Sequence, residues 1–261
     1  TIETALNNAD ESQQIFALDI IKDIPLSPWK RSLNRLLNEG NVTVKKEILN
    51  ISVNDKNIID DQQIIDLIET DKELDIDAIA IAGKRGLNNA ESAINKHLQD
   101  SEIEKQIIAA AALNIIDPDS SKVAKKLLID ALQSTDEKLI SLAINQLSFD
   151  NEILSDDTLI HYLNDSSFVI RNAALFVAET RRAPKFLPEI IYSLADSRSA
   201  IPARTALTAY NEQDVINILI KYAQARPARK SLVIGIIRTL KNYPTKQSIG
   251  IILAKVNPKT P

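Results

Sequence analysis

A chain of 261 residues with 44% hydrophobic and 25% charged residues falls in the range of ordinary folded proteins, and its lack of cysteine excludes disulfides and thiolate zinc sites. Aromatic residues make up only 4%, so the core must come from Ile, Leu, Val and Ala, each larger side chain contributing about 1.5–3 kcal/mol on burial. The net charge of −4 hides an asymmetry: residues 1–165 hold 16 Lys or Arg against 30 Asp or Glu, whereas residues 166–261 hold 15 against 5.

The opening TIETALNNADESQQ has neither the basic nor the apolar region of a secretion signal, and no later stretch approaches the roughly 18 uninterrupted apolar residues of a membrane span. Methionine is absent even at the first position, which points to a processed product or a piece cut from a longer polypeptide.

A repeat organises the rest. The leucines Leu37, Leu67, Leu98, Leu132, Leu163 and Leu194 recur at intervals of 30–34 residues. Most are followed seven positions on by an apolar residue, then by small or apolar residues at two further spacings of four, which share one helix face. In chain order these are Val44, Ile48 and Ser52; Leu74, Ala78 and Ala82; Leu139, Ala143 and Leu147; Ile170, Ala174 and Ala178; and Ile201, Thr205 and Ala209. After Leu98 the seventh position is Lys105, so Ile103 or Ile107 is expected to take the apolar role there, on a shifted or longer helix.

Two positions after each leading leucine stand Glu39, Glu69, Asp100, Ser134, Asp165 and Asp196, placed to cap the next helix. A second helix closes each unit, as in SSKVAKKLLIDALQ (120–133), SDDTLIHYLND (155–165) and LPEIIYSLAD (187–196). Connections are short, with Pro118, Pro184, Pro188, Pro202, Pro227 and Pro244 at or near helix beginnings. The helix over 168–178 carries one charge, Arg171, so it needs neighbours on most sides, as in the interior of a stacked array.

These residues resemble the HEAT repeat. Asp165, Ile170, Arg171 and Ala174 in LNDSSFVIRNAALFVAE, and Glu39, Val44, Lys45 and Ile48 in LLNEGNVTVKKEILNI, match its leucine, acidic turn, aliphatic–basic pair and following small or aliphatic position. Elsewhere the basic position is Asp75, Ile140 or Pro202, a departure from the Asp and Arg ladder of that family. The resemblance spans residues 10–256 and implies an all-α, right-handed superhelix of about eight antiparallel helix pairs, with 1–261 as a single repeat domain.

More narrowly, FALDIIKDI, then ARTALTAYNEQDVINILIKYA, then ARKSLVIGIIRTLKNYPTKQSIGIILAKV is similar to the HEAT domain joined to bacterial transporters of the ADP/ATP-translocase-like and major-facilitator type. That similarity implies a cytoplasmic, non-catalytic regulatory or interaction scaffold, tethered to the inner membrane through flanking segments.

Chemistry is sparse. His97 and His161 lie two repeats apart, without metal-ligand spacing. The pairs Asp60–Asp61 and Asp156–Asp157 sit at helix starts, where capping accounts for them. GKRG at 83–86 follows a helix, not a strand, so Gly86 reads as a helix stop, not part of a phosphate loop. No catalytic residue, cofactor or metal is assigned.

The functional signal is the basic C-terminal third, where Arg171, Arg181, Arg182, Lys185, Arg198, Arg204, Arg226, Arg229, Lys230 and Arg238 form a candidate interaction surface. Its expected partner is a protein, an adjoining part of the parent chain or an anionic membrane surface. The alternative is a nucleic-acid-binding or alkylpurine-glycosylase-like enzyme on the same scaffold. It is disfavoured by negative net charge, few aromatics and a sole tryptophan, Trp29, in the acidic portion. A chromophore lyase built from short helical repeats finds no supporting site.

Overall fold

The structure, a computed structural model, describes residues 1–8, 10–53, 55–118, 122–225 and 229–256. Among them are seventeen α-helices and no strand. The all-helical class expected from the spacing is therefore observed. By packing the chain divides into two compact units, Thr1–Ile129 and Asp130–Pro261.

The first unit contains α1 (Ile2–Leu6), α2 (Glu11–Ile21), α3 (Lys30–Glu39), α4 (Val42–Ile51), α5 (Asp61–Thr70), α6 (Asp75–Arg85), α7 (Glu91–Asn95) and α8 (Ile103–Ile116), while α9 (Lys122–Leu132) runs across the division. Helices α2, α4, α6 and α8 pack against one another in succession, and α1 packs on α3 and α5 on α7 beside them. Sequence dictates the ends. The Asn41 side chain accepts from the Val44 N–H to start α4, and Asp60 and Gln63 exchange backbone and side-chain bonds in a capping box at α5. Gly86, at φ +62°, ends α6 in the left-handed conformation that a side chain resists.

The core-facing positions follow the expected spacing here. Val44, Ile48 and Ser52 are buried, as are Leu74, Ala78 and Ala82. Ser52 Oγ returns a hydrogen bond to the Ile48 carbonyl (2.6 Å), so its hydroxyl is satisfied in the core. A Cβ on Gly83 would lie 2.7 Å from the Ala112 Cα, which shows how closely α6 and α8 approach. Ala109, Ala110, Ala111 and Ala112, all buried, make that approach possible from the other side.

At α8 the expectation is half met. Ile107 is fully buried, but Ile103 is exposed and Lys105 itself occupies the interior position. The lysine is accepted because Asp75 supplies the opposite charge at 2.8 Å. Asp100 adds a second carboxylate 3.7 Å away. The pair thus joins an acid on α6 to a base on α8.

The second unit contains α10 (Glu137–Gln146), α11 (Asp156–Leu163), α12 (Phe168–Arg181), α13 (Leu187–Ser193), α14 (Ala200–Leu207), α15 (Glu212–Gln224), α16 (Lys230–Leu240) and α17 (Lys246–Val256). The low charge of α12 is explained by its neighbours, since it packs on α10, α11 and α14 and buries Ile170, Ala173, Ala174, Leu175, Val177 and Ala178. Helices α11, α13, α15 and α17 also touch in succession.

Two expectations are corrected. In α14 the buried set is Ser199, Ala203, Ala206 and Leu207, whereas Ile201 is 67% exposed and Thr205 also faces solvent. The step of seven from Leu194 fails because the turn Asp196–Ser199, in which the Ala200 N–H bonds the Asp196 carbonyl, begins two residues after Leu194, whereas the matching turn Asp71–Leu74 begins four after Leu67, so the buried place that Leu74 takes is held by Ser199. The acidic turn residues also act one step earlier than expected. Asp100, Asp165 and Asp196 accept from the N–H two residues on, in Asx turns, and Ser134 does the same for Asp136. The N-cap proper falls to Asp136 and Ser167 in two of these units. Glu39 and Glu69 make no such bond, Glu69 instead pairing with Lys96. Ser120, Ser121 and Pro227 lie outside the described residues.

Candidate interaction surface

Ten cations define the candidate surface, and the fold sorts them by what it already requires of each. Arg181, the last residue of α12, is almost fully enclosed, with 7% of its side chain exposed. It donates from Nε to the Ser148 carbonyl (2.9 Å), from Nη1 to the Leu154 carbonyl (2.8 Å) and the Asp156 carboxylate (3.0 Å), and from Nη2 to the carbonyls of Leu147 (3.0 Å) and Asp150 (2.8 Å). All five guanidinium donors are thereby used. The carbonyls belong to the end of α10 and the loop after it, groups that a helix terminus leaves without partners.

An equivalent arrangement occurs in the first unit. Arg85, at the end of α6 and 4% exposed, donates to the carbonyls of Ser52, Val53 and Ile59 and to Asp61. The two arginines lie 96 positions apart, and the correspondence extends upstream of them at an offset of 95. Asn41 and Asp136 are N-caps, Asp55 and Asp150 hold Asx turns, Asp60 and Ser155 are N-caps, and Asp61 and Asp156 take the arginine. Directly after each arginine, Gly86 and Arg182 adopt φ +62° and +55°. The paired carboxylates of the sequence thus resolve into one capping and one anchoring residue at Asp60–Asp61, and Asp156 is the anchor in the second unit.

Electrostatics agree with these roles. Lys56 and then Arg85 hold the Asp61 carboxyl below its ordinary range. At Asp156 burial pushes upward, but hydrogen bonds from Lys185 and Arg181 outweigh it and lower the carboxyl.

Arg171 is similarly committed. It donates to the carbonyls of Asp165 and Ser166, to Ser199 Oγ and to the Asp196 carboxylate, with little of its side chain exposed. Arg198 is exposed but bonds Asp196 as well and lies over the Phe168 ring, 4.7 Å from its centroid. Its side chain, followed by its N–H, lowers the Asp196 carboxyl to about 2. Lys185 pairs with Asp156 at 3.0 Å.

The remaining cations are Arg182, Arg229, Lys230 and Arg238, which are exposed, and Arg204, half-buried; none makes an ion pair among the described residues. Arg226 lies outside the described residues. The structure therefore does not present ten equivalent charges. It ties Arg171 and Arg181 into the packing and leaves the free charge on Arg182, Arg204 and the last helices.

His97 stands 3.6 Å from Asp100 in the first unit, and His161 lies exposed beside Tyr162 in the second. Among the described residues no group of three His, Cys, Asp or Glu side chains could hold a metal ion, and no helix is long and apolar enough to cross a membrane. A recess of about 430 Å³ in the first unit is lined by Ile68, Asp71, Asp75, His97, Asp100 and Lys105. Its charged groups are largely engaged with one another. Lys105 bonds Asp75, which raises the lysine, and the Asp100 carboxyl is lowered by the Glu102 N–H and then by Lys105 and His97. Comparison of the chain with protein-family models and with curated proteins returns no match.

Proposed function

We propose that this chain is a non-catalytic interaction scaffold of the HEAT type, a right-handed superhelix of about eight antiparallel helix pairs serving as the regulatory domain of a bacterial membrane transporter. Successive contacts of alternate helices within each unit support the repeat reading, because stacked pairs bury each other's flanks and leave long helical surfaces for partners. The observation that carries the functional part is the sorting of cations: Arg171 and Arg181 of α12 are consumed by the packing, while Arg182, Arg204, Arg229, Lys230 and Arg238 have no ion pair among the described residues. Unpaired charge of one sign is how a scaffold steers an anionic partner.

The test is capture of partners from a solubilised bacterial membrane extract by the chain and by a variant with Arg182, Arg204 and Arg238 reversed to Glu. Helical circular dichroism of both confirms folding. Loss of partners in the variant is expected, and unchanged partners and affinities would refute this placement of the surface. Small-angle scattering tests the superhelix, for which an elongated particle is expected.

A further inference from the structure

Beyond Asp214 the chain carries no acidic residue: residues 215–261 hold nine Lys or Arg and no Asp or Glu. On α16 and α17, Arg229, Lys230, Arg238, Lys241, Lys246 and Lys255 are all exposed and make no ion pair among the described residues. Apolar side chains stand among them. On α16, Lys230, Ile234, Arg238 and Lys241 share one side, opposite the buried Leu232, Ile236 and Thr239, and Ile234 is 40% exposed. On α17, Ile249 and Leu253, one turn apart, are 48% and 63% exposed. Lys246 precedes them on the same side, and the buried Ser248 lies opposite.

On each helix, cations beside exposed aliphatic side chains select a partner by two demands. The cations need dense negative charge, and the aliphatic side chains need an apolar layer within one side-chain length of it. Nucleic acid meets the first demand only, because bases are gripped by stacking on aromatic rings. The aromatic residues of this stretch are Tyr222 and Tyr243, both half-buried, and burial raises the hydroxyl of each. An anionic lipid surface meets both demands, with phosphates at the level of the lysines and acyl chains just beneath.

We infer that α16 and α17 form a docking surface for the anionic face of a lipid bilayer. The cations lie at headgroup level, and Ile249, Leu253 and Ile234 enter the acyl boundary. Each cation near such a surface strengthens association about fivefold, so the combination is salt-sensitive, while the aliphatic side chains add a part that salt does not remove. This inference deepens the scaffold proposal by naming a partner, and it rests on that reading.

Purified full chain is floated with phosphatidylcholine vesicles containing about 30% phosphatidylglycerol, and with phosphatidylcholine alone, at about 0.1 M salt. Association at least about tenfold stronger with the anionic vesicles is expected. Ile249→Ser with Leu253→Ser should weaken vesicle binding by about tenfold or more while leaving retention on heparin, a polyanion without acyl chains, unchanged. Arg238→Glu with Lys246→Glu should weaken both. All four positions are exposed, and circular dichroism checks each variant's fold. Absence of flotation with anionic vesicles overturns the inference, as does unchanged flotation of the serine variant. Binding to duplex DNA alone would make this a nucleic-acid surface and overturn it equally. Each result is independent of the protein-capture experiment, so a failure here leaves the scaffold reading to stand or fall on its own test.

Discussion

Replacing Arg181 by alanine removes one side chain and strips donors from four backbone carbonyls, those of Leu147, Ser148, Asp150 and Leu154. Asp156 is not orphaned, since Lys185 remains 3.0 Å from its other oxygen. The loss therefore falls mainly on the carbonyls. Bonds from a charged donor are each worth about 1.5–3 kcal/mol when removed singly, but these share one group and do not add. Four carbonyls that lose a charged donor together, less than additively, should cost about 3–5 kcal/mol in all. For a chain of this size that corresponds to a fall in Tm of roughly 6–20 °C. Arg181→Lys keeps the charge but not the fork, and should lose about 2 kcal/mol. Arg182→Gly, one residue on at φ +55°, should stay within about 1 kcal/mol of the parent, because glycine suits that conformation. Urea and thermal unfolding followed by helical circular dichroism give all three values. If Arg181→Ala falls within about 1 kcal/mol of the parent, water replaces the guanidinium at those carbonyls and the anchoring role is wrong.

Three further outcomes are expected. Gly83→Ala should destabilise by about 1–3 kcal/mol despite alanine's better helix propensity, because its Cβ would meet Ala112, whereas Gly250→Ala, with open space around it, should stabilise by about 0.5–1 kcal/mol; thermal melts of the two should move in opposite directions. Lys105→Ala leaves Asp75 buried without its partner and should cost about 3–5 kcal/mol, while Lys105→Met with Asp75→Leu should recover most of it; a double variant no better than the single would show that the pair itself is not the issue. The Asp196 carboxyl, held at about 2 against an unfolded value of about 3.9, contributes stability above pH ~4 that is lost as pH falls through 2; a carboxyl titration by NMR should show this midpoint, and Arg198→Ala should raise it. An Asp196 midpoint at the ordinary value would remove Arg198 as the cause.

Much of this architecture is legible in the sequence because spacings of four within a 31-residue step reflect helix geometry alone. Val44–Ile48–Ser52 and Ile170–Ala174–Ala178 needed nothing beyond periodicity to be placed inside. Where the step depends on a turn, the reading slips: the Asp196–Ser199 turn begins two residues after Leu194, Ser199 takes the buried place and Ile201 faces outward. Lys105 defeats a purely apolar pattern because its burial depends on Asp75, thirty residues earlier and on another helix. The anchoring arginines were the least visible. Arg85 sits in GKRG beside two glycines, and Arg181 stands next to the exposed Arg182, so composition makes them look alike. Their partners are backbone carbonyls 26 to 34 positions upstream, which carry no sequence signature. Only the recurrence of Asp61 and Asp156 at the offset of 95 offers a signal that a sequence could have yielded.

Because Arg85 and Arg181 reach back to tie off backbone left by an earlier helix, the interhelical loops of this protein are not equivalent cutting points. A truncation ending at Leu163 would keep α10 and α11, yet would strip the Arg181 guanidinium from the carbonyls of Ser148, Asp150 and Leu154, and leave that of Leu147 with the Asp150 N–H alone. Fragments that stop after Gly86 or Arg182 carry their own clasp and should survive excision better than fragments that stop one helix earlier, after Thr70 or Leu163.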